Sequence, residues 1–253
     1  MDFTRFKVDN CPPSVFYIPS FLSEQEEESI LRQIENTPKP KWTQLSNRRL
    51  INYGGVPHKN GMIAEELPNW LKDKVAAVNN IGIFNQVKAN HVLVNEYLPG
   101  QGIMAHSDGP LFHPVICTIS CGSHTILRFH ETDSHDADND GGDGDGDNNR
   151  DTAMIPTNCG DITIDQRCKL KHACQLLIEP RSLLILKDDM YKKYLHSIAN
   201  ETHDIITPDL ANLEQCCDEL KNRVGGTVER NRRISLTIRH VPKTSRIHLR
   251  LGH

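Results

Sequence analysis

The sequence has no uninterrupted apolar run near the 18 or so residues that a membrane-spanning helix requires. Its opening, MDFTRFKVDNCPP, has no apolar core of signal-peptide length. The eight cysteines, at 11, 117, 121, 159, 168, 174, 216 and 217, form no C-x-x-C pair and no regular framework. That spacing argues against a cysteine zinc site. Without an export signal the thiols are expected to be free, in the reducing cytoplasm and nucleus. The expectation is a monomer of 253 residues that engages no membrane.

Charge of one sign is concentrated rather than spread. The segment 131–151 holds nine acids and one base, a balance of −8, within a chain whose net charge is −4. The remainder therefore carries 28 bases against 24 acids, or +4. A mildly basic body removes the objection that phosphate would repel this protein, without establishing nucleic-acid binding.

The apolar pattern changes along the chain. SEQEEESILRQIEN (23–36) reads as a helix, with Ser23 and Glu26 as a capping box and Ile30, Leu31 and Ile34 on one face. LPNWLKDKVAAVNNIG (67–82) reads as a second, with Gly82 as its stop. From about residue 87 short β-branched runs take over: VKANHVLVNEY, PVICTISC, HTILRFHE, DITID, CQLLIEP, RSLLILK and RRISLTIRHVP. The expected architecture is mostly β with flanking helices (α+β), a sandwich or jelly roll in one domain spanning 1–253.

Two inserts interrupt it. Residues 133–150 are rich in Asp, Asn and Gly and are expected to be a disordered acidic loop. Asp136, Asp138, Asp140 and Gly141 imitate the opening of an EF-hand loop, with Asp147 twelfth. The strand-like flanks and the missing Glu favour a solvated loop instead. TPDLANLEQCCDELKNRV (207–224) is expected to be helical, capped by Thr207 and striped by Leu210, Leu213, Cys217 and Leu220.

The chemistry starts in NEYLPGQGIMAHSDGPLFHP (95–114). His106 and Asp108 are two apart after a strand-like run, so both can face one point. They are two thirds of a two-His-one-carboxylate iron site. Among the later histidines His196 stands out, at the start of a strand after a buried run and a tyrosine-rich turn. Arg233, Ser235, Thr237 and Arg239 share one face of the last strand, and Asn95 and Tyr97 share a face of theirs. Inward arginines are costly unless an anion meets them. Alone they read as a surface ladder; beside a metal triad they imply a small dicarboxylate cosubstrate.

Taken together, N-x-Y-x-P-G-x-x-x-x-x-H-x-D, a distant His, and R-x-S-L-T-x-R closely resemble the AlkB family of Fe(II) and 2-oxoglutarate dioxygenases. NRRLINYGG, ANHVLVNEYLPGQGIMAHSDGPL and EPRSLLIL look like the subgroup of the sixth human AlkB homologue. The resemblance runs from about residue 12 to 243 and implies a double-stranded β-helix. It implies that His106, Asp108 and His196 hold Fe(II), and that Asn95, Tyr97, Arg233, Ser235 and Arg239 hold 2-oxoglutarate, with O2 as the other reactant. It implies oxidative N-demethylation of alkylated bases in DNA or RNA, giving succinate, CO2 and formaldehyde. Residues 41–61 correspond to the family's nucleotide lid, so Trp42, Arg48, Arg49, Tyr53 and Lys59 are candidate substrate groups.

Two departures bear on this. Ser235 stands where family members often have Asn, and the gap from His196 to Arg233 is long for the family. Competing expectations are a protein hydroxylase or demethylase on the same core, and a nucleic-acid binder with weak or lost oxygenase activity.

Overall fold

The computed structural model describes residues 2–132, 154–156, 162–164 and 170–245. The acidic insert and its EF-hand-like opening lie outside them. Helix α1 (Glu24–Glu35) carries the expected capping box: Glu26 N donates to Ser23 Oγ at 3.2 Å, and Ser23 N donates to Glu26 Oε2 at 2.9 Å. Helix α2 (Asn69–Asn79) is shorter than 67–82, because Pro68 occupies its N-cap. The chain leaves it through a turn in which Gly82 takes φ +84°.

In chain order the strands are β1 (Val15–Ile18), β2 (Thr43–Gln44), β3 (Arg49–Tyr53), β4 (Met62–Ile63), β5 (His91–Tyr97), β6 (Ile103–Ser107), β7 (Val115–Cys121), β8 (Thr125–Thr132) and β9 (Met154–Pro156). They continue as β10 (Ile162–Ile164), β11 (Leu170–Ile178), β12 (Leu183–Lys187), β13 (Tyr194–Ile198), β14 (His203–Ile205), β15 (Thr227–Glu229), β16 (Arg233–Arg239) and β17 (Thr244–Ser245). One sheet runs β1-β12-β7-β16-β5-β3-β2 and the other β11-β8-β13-β6-β10-β9. They face each other as a jelly roll, the expected class. Among the described residues no helix is long and apolar enough to cross a membrane.

The large sheet is buried on both faces along its central strands. Its outer face places Val92, Val94, Cys117, Ile119, Leu236 and Ile238 in one cluster with Ile30 and Ile34 of α1 and Leu71, Val75 and Val78 of α2. Each fully buried aliphatic side chain contributes about 1.5–3 kcal/mol. Its inner face packs Val15, Tyr17, Leu184 and Leu186 against Leu127, Phe129, Leu176 and Ile198 of the other sheet. Every residue of β5 and β16 is buried, so polar side chains on their inner face must find partners inside the sandwich.

The small sheet is closed tightly beside the prospective site. A Cβ at Gly102 would stand 2.2 Å from the Ile198 carbonyl oxygen, so β6 and β13 approach this closely because residue 102 has no side chain. Gly102→Ala is expected to cost about 1–3 kcal/mol. A lowered urea midpoint is the expected reading, and an unchanged one contradicts the steric argument.

The expected helix over 207–224 is not formed. The segment contains only a 3-10 turn (Leu213–Gln215) and a single helical turn, α4 (Asp218–Lys221). Its apolar stripe satisfied helical spacing, but neighbouring strands compete for its hydrogen bonds. Ala211 N donates to the Gln175 carbonyl at 2.9 Å. The buried Asn212 side chain bonds both Leu177 N and Leu177 O at 2.8 Å, imitating a strand partner. Cys217 N donates to Glu179 Oε1 at 2.9 Å from an extended backbone. The segment thus caps the edge of β11, and none of its residues lines the cavity between the sheets.

Next to it, Arg230 clamps Asp204 with two bonds of 2.7 and 2.6 Å, both side chains nearly fully buried. Burial opposes the charge on Asp204, but Arg230 and His124 outweigh it and hold the carboxyl at about 2. A depressed carboxylate stabilises the fold above its unfolded value of about 3.9 and stops doing so as pH falls through its folded value. Asp204→Ala should therefore cost about 3–5 kcal/mol at pH 7, because it leaves Arg230 buried and unpaired. Urea titrations should show this deficit shrinking between pH 4 and pH 2. A deficit independent of pH rules out the ion pair as its source.

Candidate active site

Between the sheets lies a cavity of about 60 Å³, several times the ~10–15 Å³ that one ordered water needs. Its apolar walls include Leu93, Leu127, Ile178, Leu184 and Leu186. Its polar lining is His106, Asp108, His196, Asn95, Tyr97, Thr118, Arg233, Ser235, Thr237 and Arg239.

His106 is the penultimate residue of β6, and Asp108 follows the strand into the Gly109 turn. The His106 Nδ1–H donates to the Met104 carbonyl at 2.9 Å, which leaves Nε2 as the lone-pair nitrogen. β13 pairs His196 directly with His106, and the two rings stand 4.2 Å apart. Burial, with the neighbouring His106, pushes His196 down to about 3. His196 is therefore a neutral imidazole at ordinary pH. Its Nε2 lies 4.0 Å from Asp108 Oδ2.

Asp108 is fully buried, which opposes its ionisation, yet Arg239 first and then His196 and His106 hold its carboxyl below the usual range. Arg239 donates to Asp108 Oδ1 and stacks 4.4 Å over the Phe112 ring. The three side chains stand together, but among the described residues they do not form a group already placed to hold a metal ion. Their donor types nevertheless suit a divalent iron: two imidazole nitrogens and one ionised carboxylate.

At the other end of β16, six residues or about 20 Å along the strand, Arg233 pairs in register with Tyr97. Its Nη2 donates to Ser120 Oγ at 2.8 Å, and its guanidinium lies 5.6 Å from the Tyr97 ring centroid. Among the described residues Arg233 Nε is buried with no hydrogen-bond partner. Burial pulls its pKa below the ordinary arginine value. A buried guanidinium with one neutral partner and one unbonded donor is a receptor for an anion. Ser235 and Asn95 face each other between the two ends. The Asn95 side-chain oxygen accepts from Arg48 Nε at 3.1 Å, so its NH2 group is turned elsewhere.

The expected substrate groups are distributed differently. Residues 49–53 form strand β3 of the large sheet. Arg49 and Tyr53 stand opposite Glu96 and Val92, on the face that packs against the helices. Arg49 ion-pairs with Glu96 and stacks 4.0 Å over Trp42, and Tyr53 meets Trp70 edge-on. Arg48 is buried beneath Asn95. Period two made this unavoidable once β3 paired with β5. Only Lys59, in the loop after β3, is exposed.

Other residues of the site gave a weaker signal. Thr118 and Ser120 alternate with apolar neighbours in VICTISC, a period-two pattern that places polar groups inward. Tyr191 had no such signature. From a one-turn helix, α3 (Asp189–Lys192), it donates to the Gly109 and Phe112 carbonyls and so pins the turn behind Asp108.

Residues 36–239 match the model of the 2OG-Fe(II) oxygenase superfamily. The chain is 43% identical over 252 residues to the zebrafish (Danio rerio) protein named "Probable RNA/DNA demethylase ALKBH6", covering 100% of this chain and 96% of that one. It is 25% identical to the "Uncharacterized protein L905" of Acanthamoeba polyphaga mimivirus, over 89% of this chain and 84% of that one. The solved structure of OsALKBH1 shares the fold, with a TM-score of 0.50 and 14% identity over 90% of this chain and 99% of that chain. The chain belongs to the 2OG-Fe(II) oxygenase superfamily and, within it, to the AlkB family. Its cofactors are Fe(II) and 2-oxoglutarate. The unbonded Arg233 donor and the imidazole–carboxylate group fit a dianion and a metal.

Proposed function

We propose that this chain oxidatively removes N-methyl groups from alkylated bases in DNA or RNA. The observation that carries the chemistry is one cavity with two imidazoles and a carboxylate at one end and an unmatched guanidinium at the other. The name carried by the zebrafish relative supports nucleic acid as the substrate. His106, Asp108 and His196 would hold the iron, Arg233 the far carboxylate of 2-oxoglutarate, and Asn95, Tyr97, Ser235 and Arg239 would complete its cradle. When bound, iron and 2-oxoglutarate supply an oxidation that consumes O2, releases succinate and CO2, and hydroxylates an N-methyl carbon that then leaves as formaldehyde.

The residues of the chain bind and orient. Burial keeps His196 neutral, with a lone pair to donate. The Met104 carbonyl fixes the tautomer of His106, and Arg239 keeps Asp108 ionised. The aliphatic walls exclude water. A base reaches such a recess only out of its stack. Two exposed lysines suit the flanking phosphates: Lys59 and Lys243 lie on adjoining segments, because Met62 N donates to the Lys243 carbonyl at 2.8 Å.

The test is a panel of N-methylated oligonucleotides and N-methylated peptides. Formaldehyde from at least one oligonucleotide and from no peptide is the expected result. Release from peptides alone moves the reading to a protein demethylase.

A further inference from the structure

We propose that Asn52 reads the substrate base and that His91 sets the direction of its amide, so that the base is met by a hydrogen-bond donor. The substrate class that follows is N-methylated bases whose methylated nitrogen is flanked by a carbonyl at C4 of a pyrimidine or C6 of a purine, of the methylated uracil or guanine type. This rests on the nucleic-acid reading above and narrows it.

Asn52 and His91 are on adjacent strands, on the face that looks into the sandwich. Asn52 stands opposite Leu93, a wall of the cavity, and His91 stands opposite Arg239 at the Asp108 end. Through Leu93, Asn52 is two strand spacings, roughly 10 Å, from Thr237, and Arg239 lies two residues further along β16. Asn52 stands beside the cavity wall rather than in its lining, on the side toward which a base with its methylated edge at His106, Asp108 and His196 would extend. His91 is wholly buried and Asn52 is partly buried.

The direction of the amide follows from the imidazole. His91 Nε2 lies 3.0 Å from Asn52 Oδ1, while His91 Nδ1 is buried with no partner among the described residues. The ring is neutral, because burial first and then the Arg239 charge disfavour the imidazolium. It therefore carries one N–H. On Nδ1, that proton would be a buried, unbonded donor beside a cation. On Nε2, it bonds Asn52, and the remaining lone pair lies in the favourable field of Arg239. The second arrangement satisfies the donor and the electrostatics together. Asn52 Oδ1 is then the acceptor, and its NH2 group points away from His91. Among the described residues that NH2 group has no protein partner.

An amide locked this way offers donors only. A carbonyl at C4 of a pyrimidine or C6 of a purine accepts from it. An exocyclic amine at the same place, as in methylated adenine or cytosine, sets donor against donor. Sites built to bond one group reject the analogue that cannot answer.

The experiment compares oligonucleotides carrying 3-methyluracil or 1-methylguanine with those carrying 1-methyladenine or 3-methylcytosine. It uses the full chain, Asn52→Asp and Asn52→Ala, each checked by thermal melting. kcat/KM is read from formaldehyde. Affinity is read by fluorescence anisotropy with Mn(II) and 2-oxoglutarate bound, so that selectivity is also seen without turnover. The unaltered chain should favour the carbonyl-bearing bases by about fivefold to tenfold, the effect of one neutral hydrogen bond. Asn52→Ala should lose that factor on those bases alone, and Asn52→Asp should reverse the order. The unaltered chain's ratio needs no variant to fold. A preference for amino-bearing bases, or a ratio unchanged in both folded variants, overturns the assignment and leaves the demethylase reading standing. Neither turnover nor base-dependent binding with any oligonucleotide overturns both.

Discussion

His196→Ala is expected to give a folded protein that neither retains Fe(II) nor releases succinate with any substrate. The cavity presents only two imidazoles and one carboxylate of ligating type. Asp108 is already shared with Arg239, so a pair of remaining donors competes poorly with water for the metal. His106→Ala and Asp108→Ala should behave alike. His196 lies on β13, whose backbone pairing with β6 and β8 does not depend on the side chain, so the fold should persist. Metal retention after gel filtration and succinate release measure the two halves of the claim. Turnover by a folded His196→Ala protein would place the third ligand elsewhere, with His203 the first residue to test.

Arg233→Ala should raise the 2-oxoglutarate requirement at least tenfold. Truncating one partner of a buried charge pair costs about 2–5 kcal/mol, and about 1.4 kcal/mol is a factor of ten. Arg239→Ala should act differently. Arg239 already has an anionic partner in Asp108, whereas the Arg233 donor to Ser120 leaves its Nε unbonded. Loss of Arg239 should therefore weaken metal retention, because a buried Asp108 without its cation tends to take up a proton. Anaerobic titrations of 2-oxoglutarate and of iron into both variants separate the effects. Equal losses of 2-oxoglutarate affinity would mean that the arginines share the anion, and a larger loss in Arg239→Ala would reverse the assignment.

What could be read from the residues followed physical rules of short range. The capping box of α1 is a local exchange between Ser23 and Glu26, complete within four residues. The inward face of β16 is a period of two over seven residues, and register with β5 preserves it. The 207–224 segment fails because helix propensity is a local signal, whereas the pull of Gln175, Leu177 and Glu179 comes from strands distant in sequence. The same holds for 41–61. Its cations and aromatics suit a nucleotide, but pairing of β3 with β5 turns Arg49 and Tyr53 toward the helices. His91 gave no signal, since a histidine on an apolar strand says nothing of the arginine that will stand opposite it.

One measurement tests the central claim most directly. Oligonucleotides with an isotopically labelled N-methyl group are given to the iron-loaded protein with 2-oxoglutarate, and labelled formaldehyde and succinate are counted together. The account predicts one labelled formaldehyde for each succinate on a nucleic-acid substrate, with both lost in Asp108→Ala. Succinate that forms without labelled formaldehyde on every methylated oligonucleotide, while a methylated peptide loses its label, would contradict it.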